Sequence, residues 1–256
     1  MKIAVLVKQV PDTEEERSLD PSGTIDRTSG ENVADEITER ALEVALGYKD
    51  QHKGAEVVVL SMGPDSATKA LRKALSMGAD SAIRIQDDAL AGSDLGQTSA
   101  VLAAALARTG FDLVLAGNES TDGRGGVVPA MVSEHLRLPY LGSLSSVDIE
   151  ADSVRGERRT ECGTMAVAAA LPAIVSVTEH VAEARFPSFK GIMGAKRKPL
   201  TVLSLGALGL DPRAPGGRSA VLTTRERPAR LAGTKIVDEG DAGRQLAEFL
   251  AAGKLV

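Results

Sequence analysis

The chain reads as an α/β protein, a three-layer sandwich on a mostly parallel sheet, with antiparallel strands and an extended C-terminal arm added. Three observations predict this. Up to Pro139, short apolar runs alternate with loop-then-helix patterns, the order that yields parallel strands joined by right-handed crossovers. The runs IAVLV, EVVVLSM and LVLA are nearly continuous in Val, Leu, Ile and Ala, as strands covered on both faces are. One strand-to-helix loop, residues 117–126, concentrates glycines and hydroxyls where open α/β sheets bind ligands.

The elements follow in order. Residues 3–7 suit a central parallel strand, ending at Lys8-Gln9-Val10-Pro11-Asp12. Residues 14–30 are polar, hold Pro21, Gly23 and Gly30, and read as a long excursion. Asp35 is placed to cap a helix whose stripe is Ile37, Ala41, Val44 and Ala45, with Glu36 and Glu39 suiting the dipole in the first turn. Residues 56–62 are the second strand, and Gly63-Pro64-Asp65 opens a helix through Ala67, Leu71, Ala74 and Leu75 that Gly78 closes. Residues 82–85 form a short strand; Ser93 or Asp94 caps the helix carrying Leu102, Ala105 and Leu106, and Gly110 ends it. A strand over 112–116 then runs through the glycine loop into a helix from Val127, with Met131 and Leu138 on its apolar side, stopped before Pro139.

Beyond Pro139 the pattern changes. Residues 145–149, 153–158 and 164–169 are short, half polar and antiparallel in character, without an evident core of their own. Residues 171–178 are a strong strand, residues 185–199 show no regular period, and residues 200–205 are another strand. Residues 211–228 hold Pro212, Pro215, Gly216, Gly217 and Pro228 and read as an arm; residues 241–252 form a last helix with Leu246, Phe249 and Leu250 on one face.

Composition bounds the function. Aromatics are 2% of the 256 residues and Trp is absent, so the core is aliphatic. The net charge of −5 argues against nucleic acid as the main partner. Cys162 is alone, which excludes an internal disulfide and a Cys-rich metal site, and His52, His135 and His180 are too scattered to suggest a metal. No apolar run reaches membrane-spanning length and the first run is too short for a signal peptide, so a cytoplasmic protein without direct membrane insertion is expected.

In the loop, Gly117, Asn118, Ser120, Thr121, Asp122, Gly123, Gly125 and Gly126 precede a helix N-terminus, whose free N–H groups and dipole favour an anion. Glycines let a phosphate approach the backbone. They do not by themselves separate an anion site from an ordinary surface loop, and the loop is neither G-x-G-x-x-G nor a Walker A sequence. Three strand ends, at residues 7–8, 62–63 and 117–120, are expected to converge there. No Ser–His–Asp or Cys–His constellation marks a chemical step.

LPAIVSVTEHVAEARFPSFKGIMGAKRK, from Leu171, resembles the beta subunit of the electron-transfer flavoproteins, with its LPA strand, near N-E-P-R-[YF]-P-S and I-M-x-A-K-x-K run. VKQVPD, DEITERALEVAL, LRKALSMGAD and AGNESTDG extend the likeness over most of the chain. Ala184 stands where the family has Pro, Arg159 where an acidic residue is expected, and GRGGVV follows Asp122 in place of a D-x-x-x-Q-x-G form.

The resemblance implies a Rossmann-like, adenine-nucleotide-binding sandwich over residues 1–210, including a partner-docking loop at 182–199. Residues 211–256 would be an arm and terminal helix packing on an alpha subunit. It implies a heterodimer, an electron carrier without a catalytic site of its own. FAD would be held mainly by the alpha subunit and a structural AMP by this one. Electrons would pass from acyl-CoA and related dehydrogenases of fatty acid oxidation to a membrane quinone oxidoreductase. The AMP residues implied are Leu6, Asp35, Glu36, Ile37, Thr38, Met62, Ser120, Thr121, Asp122, Gly123, Arg124, Gly125, Gly126, Val127, Val128, Pro129, Ala130 and Met131. Leu6 and Met62 would flank an adenine. Asp122 would repel a phosphate, so it holds the loop backbone or a sugar hydroxyl, or else caps the helix. Thr13 and Ile37 would approach the FAD, the alternative being plain loop and core. The docking residues implied are Arg185, Phe186, Pro187, Phe189, Ile192 and Met193, with Phe189 as anchor; the alternative tucks Phe189 into the core. The remaining alternatives are a universal-stress-type nucleotide-binding protein, which needs neither the docking segment nor the arm, and an electron-bifurcating subunit with a second FAD. An ATP pyrophosphatase would need an S-G-G-x-D-S loop where VKQVPD stands.

Overall fold

A computed structural model of the chain describes residues 1–213, 217–229 and 233–255. It divides into two units, Met1–Leu222 and Thr223–Val256. Pro215 and Gly216 of the expected arm lie outside the described residues.

The first unit begins with β1 (Lys2–Leu6), β2 (Gln9–Pro11), β3 (Asn32–Ala34), α1 (Glu36–Gln51) and β4 (Glu56–Met62). It continues with α2 (Thr68–Met77), β5 (Ser81–Ile85), α3 (Leu95–Thr109), β6 (Leu113–Gly117) and α4 (Val128–Leu136). Then come β7 (Tyr140–Ile149), β8 (Ser153–Thr160), β9 (Gly163–Ala170), β10 (Ala173–Val177), α5 (Phe189–Ala195) and β11 (Leu200–Leu203). Among the described residues nine strands form one sheet, ordered β11-β5-β4-β1-β6-β10-β7-β8-β9, and β2 pairs with β3 in a small antiparallel one. From β11 to β7 the pairings are parallel; β7–β8 and β8–β9 are antiparallel.

Strand alternation sorts the core into two layers. Ile3, Val5, Val57, Val59, Leu113 and Leu115 pack with Leu42 and Leu46 of α1 and Leu71 and Leu75 of α2. Ala4, Leu6, Val58, Leu60, Val114 and Ala116 pack with Leu102 and Leu106 of α3 and Val132 of α4 on the other face. The chain steps from β1 to β4 and β5 on one side, then returns to place β6 on the other. The strand order therefore reverses beside β1, and the crevice beyond its carboxyl end is where such sheets bind ligands.

Four expectations are corrected. The strands after Pro139 are not coreless: Leu144 and Val154 are fully buried, and β7, ten residues from Tyr140, adds to the main sheet beside β10. Their half-polar look reflects one covered face. Residues 189–195, expected to be irregular, form α5, capped by Ser188 Oγ accepting from the Gly191 N–H at 3.1 Å; its apolar face meets solvent, so no burial period marked it. Asp35 occupies the N-cap of α1, but its side chain makes no cap bond and reaches the glycine loop. In α4 the helix starts one residue late, at Val128, so Val132 is buried and Val127 is 41% exposed. Asp94 caps α3, its Oδ1 accepting from the Gln97 N–H at 2.8 Å.

The second unit holds α6 (Ala242–Ala252), and none of the described residues in the unit is buried; Leu246 and Phe249 are exposed.

Candidate functional site

The site forms where the excursion 12–31, the start of α1 and the loop after β6 meet over the carboxyl ends of β1 and β6. The β2–β3 ribbon closes the base of the excursion and sets Asp35 beside Lys8, whose carbonyl accepts from the Asp35 N–H at 2.9 Å. Asx turns at Asp20 and Asp26 shape the excursion; hydrogen bonds from Ser22 and Thr24 bring the Asp20 carboxyl down to about 2.

Asp122 organises the glycine loop. Its side chain is shut from solvent, and Oδ1 accepts from Lys8 Nζ at 2.7 Å and from the Gly123 N–H at 2.6 Å, while Oδ2 pairs with Arg27. Burial alone would raise its pKa, but the hydrogen bond from Lys8, with help from Ser120 and Arg27, holds it far below the usual carboxylate range. Asp122 does not cap α4; Val127 takes that position and no side chain caps the end. Arg17 adds a second tie, donating to the Thr121 carbonyl at 2.7 Å. Arg124 sits at φ 48° and pairs with Glu119 at 3.2 Å; Gly126 at φ 64° takes the left-handed turn that lets the chain enter α4.

On the α1 side lies a groove of about 990 Å³. Thr13, Ile37, Ser120, Thr121 and Arg124 line it, together with Asn118, Ser143, Thr178 and His180. Gly117 admits the close approach of α1: a Cβ there would collide with Ile37 Cγ2 and lie 3.1 Å from Ile37 Cβ. Ser143 is aimed inward by an irregularity in the β7–β10 pairing, at φ 57°, with its N–H donating to Ser176 Oγ at 2.9 Å.

Three buried oxygens here lack a protein partner: Asn118 Oδ1, Thr121 Oγ1 and Asp35 Oδ1. Buried polar atoms are almost always paired, and an orphan destabilises the fold. Asp35 Oδ2 accepts from the Thr121 N–H at 2.9 Å, and burial raises the Asp35 pKa above its ordinary value. A polar ligand in the crevice would satisfy such atoms, so the residues fit a nucleotide-sized group rich in hydrogen-bonding atoms.

The groove does not take in every expected residue. Leu6 belongs to the core on the α3–α4 face and Met62 packs against it. A Cβ on Gly125 would lie 3.1 Å from Leu95 Cδ2 of α3, which places the loop's second half on that face too. Glu36 points outward to Arg40, 71% exposed, while Thr38 is buried and bonds the Asp35 carbonyl at 2.7 Å. Lys8, Arg17, Arg27 and His180 were missed as site residues. The only signal for the first was its place at the end of the first strand, and arginines in a polar excursion resemble solvated charge.

The docking set lies apart from the groove. Phe186 is 95% exposed and Phe189 81%, with Ile192 and Met193 also exposed, so Phe189 is not in the core. Arg185 faces its own chain, bonding Glu43 and Asp50 of α1. Among the described residues no cluster of His, Cys, Asp and Glu could hold a metal, and no helix is long and apolar enough to cross a membrane.

Comparison with known proteins identifies the family. Residues 22–208 match the electron transfer flavoprotein domain. The electron transfer flavoprotein subunit beta of Mycobacterium leprae is 50% identical, with 99% of both chains covered, and that of Mycobacterium tuberculosis 48%, also over 99% of both. A caffeyl-CoA reductase-Etf complex subunit, CarD, of Acetobacterium woodii is 36% identical over 84% of this chain and 83% of its own. With a domain match over most of its length and full-length relatives at half identity, the chain belongs to the electron transfer flavoprotein family, as a beta subunit.

Proposed function

We propose that the chain pairs with an alpha subunit and carries electrons from acyl-CoA and related dehydrogenases to a membrane quinone oxidoreductase, as a cytoplasmic carrier and not a catalyst. The observation that carries this reading is the groove with its orphaned Asn118 and Thr121 oxygens beside Ile37 and Thr13. FAD, held mainly by the alpha subunit, supplies the redox chemistry. Thr13, Ile37 and the strand-end oxygens would hold its edge from this side and exclude water.

A structural AMP would be held by Leu6, Met62 and the loop of residues 120–131, with the uncapped N-terminus of α4 available to a phosphate. The local charge supports one phosphate over a pyrophosphate: Lys8 and Arg27 are paired with Asp122, and Arg124 with Glu119. The caffeyl-CoA reductase-Etf relative is the observation for a second reading, in which FAD takes the AMP site.

A C-terminal unit with no buried described residue supports an obligate partner, since such a segment orders only by packing on something else. The exposed α5 face, led by Phe189, serves as the dehydrogenase anchor. Co-expression with an electron transfer flavoprotein alpha subunit tests the reading. A yellow heterodimer that an acyl-CoA dehydrogenase reduces is expected, with the lone chain aggregating. A stable, colourless monomer or homodimer would overturn it.

A further inference from the structure

Residues 178–188 connect the groove to the docking helix. Thr178 and His180 line the groove, and the chain then runs along α1. It is tied there twice. The Val181 carbonyl accepts from Arg40 at 3.2 Å. At Arg185, Nε donates to Glu43 Oε2 at 2.7 Å, one terminal nitrogen to Glu43 Oε1 at 2.8 Å, and the backbone N–H also to Oε2 at 3.1 Å. Asp50 closes the cluster at 2.8 Å from the guanidinium. A two-point Arg–carboxylate fork fixes direction as well as distance.

The far end is held independently. Arg72 of α2 donates to the carbonyls of Ala195 and Lys198 at 2.6 and 3.0 Å, and Lys198 Nζ to those of Leu75 and Ala79 at 2.9 and 2.6 Å. A Cβ on Gly191 would collide with the Ser76 carbonyl oxygen, so α5 lies flush on α2. Between these ties stand the exposed side chains of Phe186, Phe189, Ile192 and Met193. A helix of seven residues does not persist in water without tertiary support, and these exposed side chains give the free chain little. The polar ties therefore hold its shape. On the groove side that function falls to Arg185, whose acceptor Glu43 is on the helix that carries Ile37 into the groove, about 9 Å away along the axis at 1.5 Å per residue.

We propose that Arg185, through Glu43 and Asp50, is a positioning residue that holds the docking helix in a preformed place relative to the flavin groove. The proposal rests on the docking reading above. Its consequence is that binding a dehydrogenase does not have to order the segment first.

The test uses the co-expressed heterodimer with Arg185→Gln, Arg185→Lys and Asp50→Asn. Three quantities are measured: dehydrogenase turnover against carrier concentration, flavin per heterodimer, and hydrogen exchange over residues 182–198. Arg185→Gln should raise the KM for the carrier roughly tenfold through lost preorganisation, with flavin content held and exchange faster over residues 182–189. Arg185→Lys keeps the charge but loses the fork, and should fall between. Unchanged exchange, or faster exchange with an unchanged KM, would overturn the proposal, as would an effect confined to kcat. If Arg185→Gln does not fold, Asp50→Asn removes the more exposed partner and should raise the KM about threefold by the same loss; no change there overturns it as well. A wild-type heterodimer that no dehydrogenase reduces would instead defeat the docking reading, and the exchange measurement alone would then decide whether Arg185 holds the helix.

Discussion

Phe189→Ala separates docking from folding. The side chain is 81% exposed at the first position of α5, so its removal takes little packing from the free chain. The Ser188 cap bond to the Gly191 N–H is untouched, and Ala is a better helix former than Phe by roughly half a kcal/mol, so the helix is not weakened. In a complex the ring would pass from solvent to a dry pocket, an interaction typically worth about 2 kcal/mol or more on truncation. At about 1.4 kcal/mol per decade, that is roughly a thirtyfold rise in the KM for the carrier. The assay is dehydrogenase-dependent flavin reduction over a range of heterodimer concentrations, with flavin content and thermal midpoint measured on the same preparation. Both should match wild type. Unchanged transfer kinetics in a folded Phe189→Ala heterodimer would remove Phe189 as the anchor. Lost stability with intact transfer per folded heterodimer would refute the exposure argument itself.

Two further outcomes follow from the site. Burial raises the Asp35 pKa, so the fold binds that proton more tightly than the unfolded chain does. Ionised Asp35 therefore destabilises the protein at neutral pH, and the penalty fades as pH falls through the raised value. Asp35→Asn should raise the thermal midpoint at pH 7 and lose this advantage below about pH 4; a lower midpoint at pH 7 would contradict the burial argument. Gly117→Ala drives a methyl into Ile37 and should destabilise by about 1–3 kcal/mol while lowering flavin content, with Ile37→Ala partly restoring both. Wild-type flavin content in Gly117→Ala would mean that Ile37 does not set the groove wall.

The parallel half of the fold was legible because its strands are covered on both faces and its helices on one. Unbroken apolar runs such as EVVVLSM and stripes such as Leu71 and Leu75 leave few alternatives. The hairpin strands were harder: beyond Leu144 of β7 the only buried position is Val154, in an otherwise polar strand, and nothing local says that β7 joins β10 across an intervening hairpin. α5 was invisible because its apolar face points to solvent, which erases the burial period by which helices are recognised. At the site, the glycines and hydroxyls announced the loop. The ion pairs that hold it, Lys8 and Arg27 on Asp122, join residues that only the fold brings together. The reach of Asp35 across to Thr121 is of the same kind, since a residue in an N-cap position ordinarily bonds its own helix.

The proposed cofactor content is one AMP bound by this subunit and a single FAD at the groove of the heterodimer. Extraction of the purified heterodimer, with flavin counted by absorbance and adenine nucleotides by chromatography, tests it most directly. One FAD and one AMP per heterodimer are expected. Two flavins, or no adenine nucleotide beyond the FAD, would contradict it.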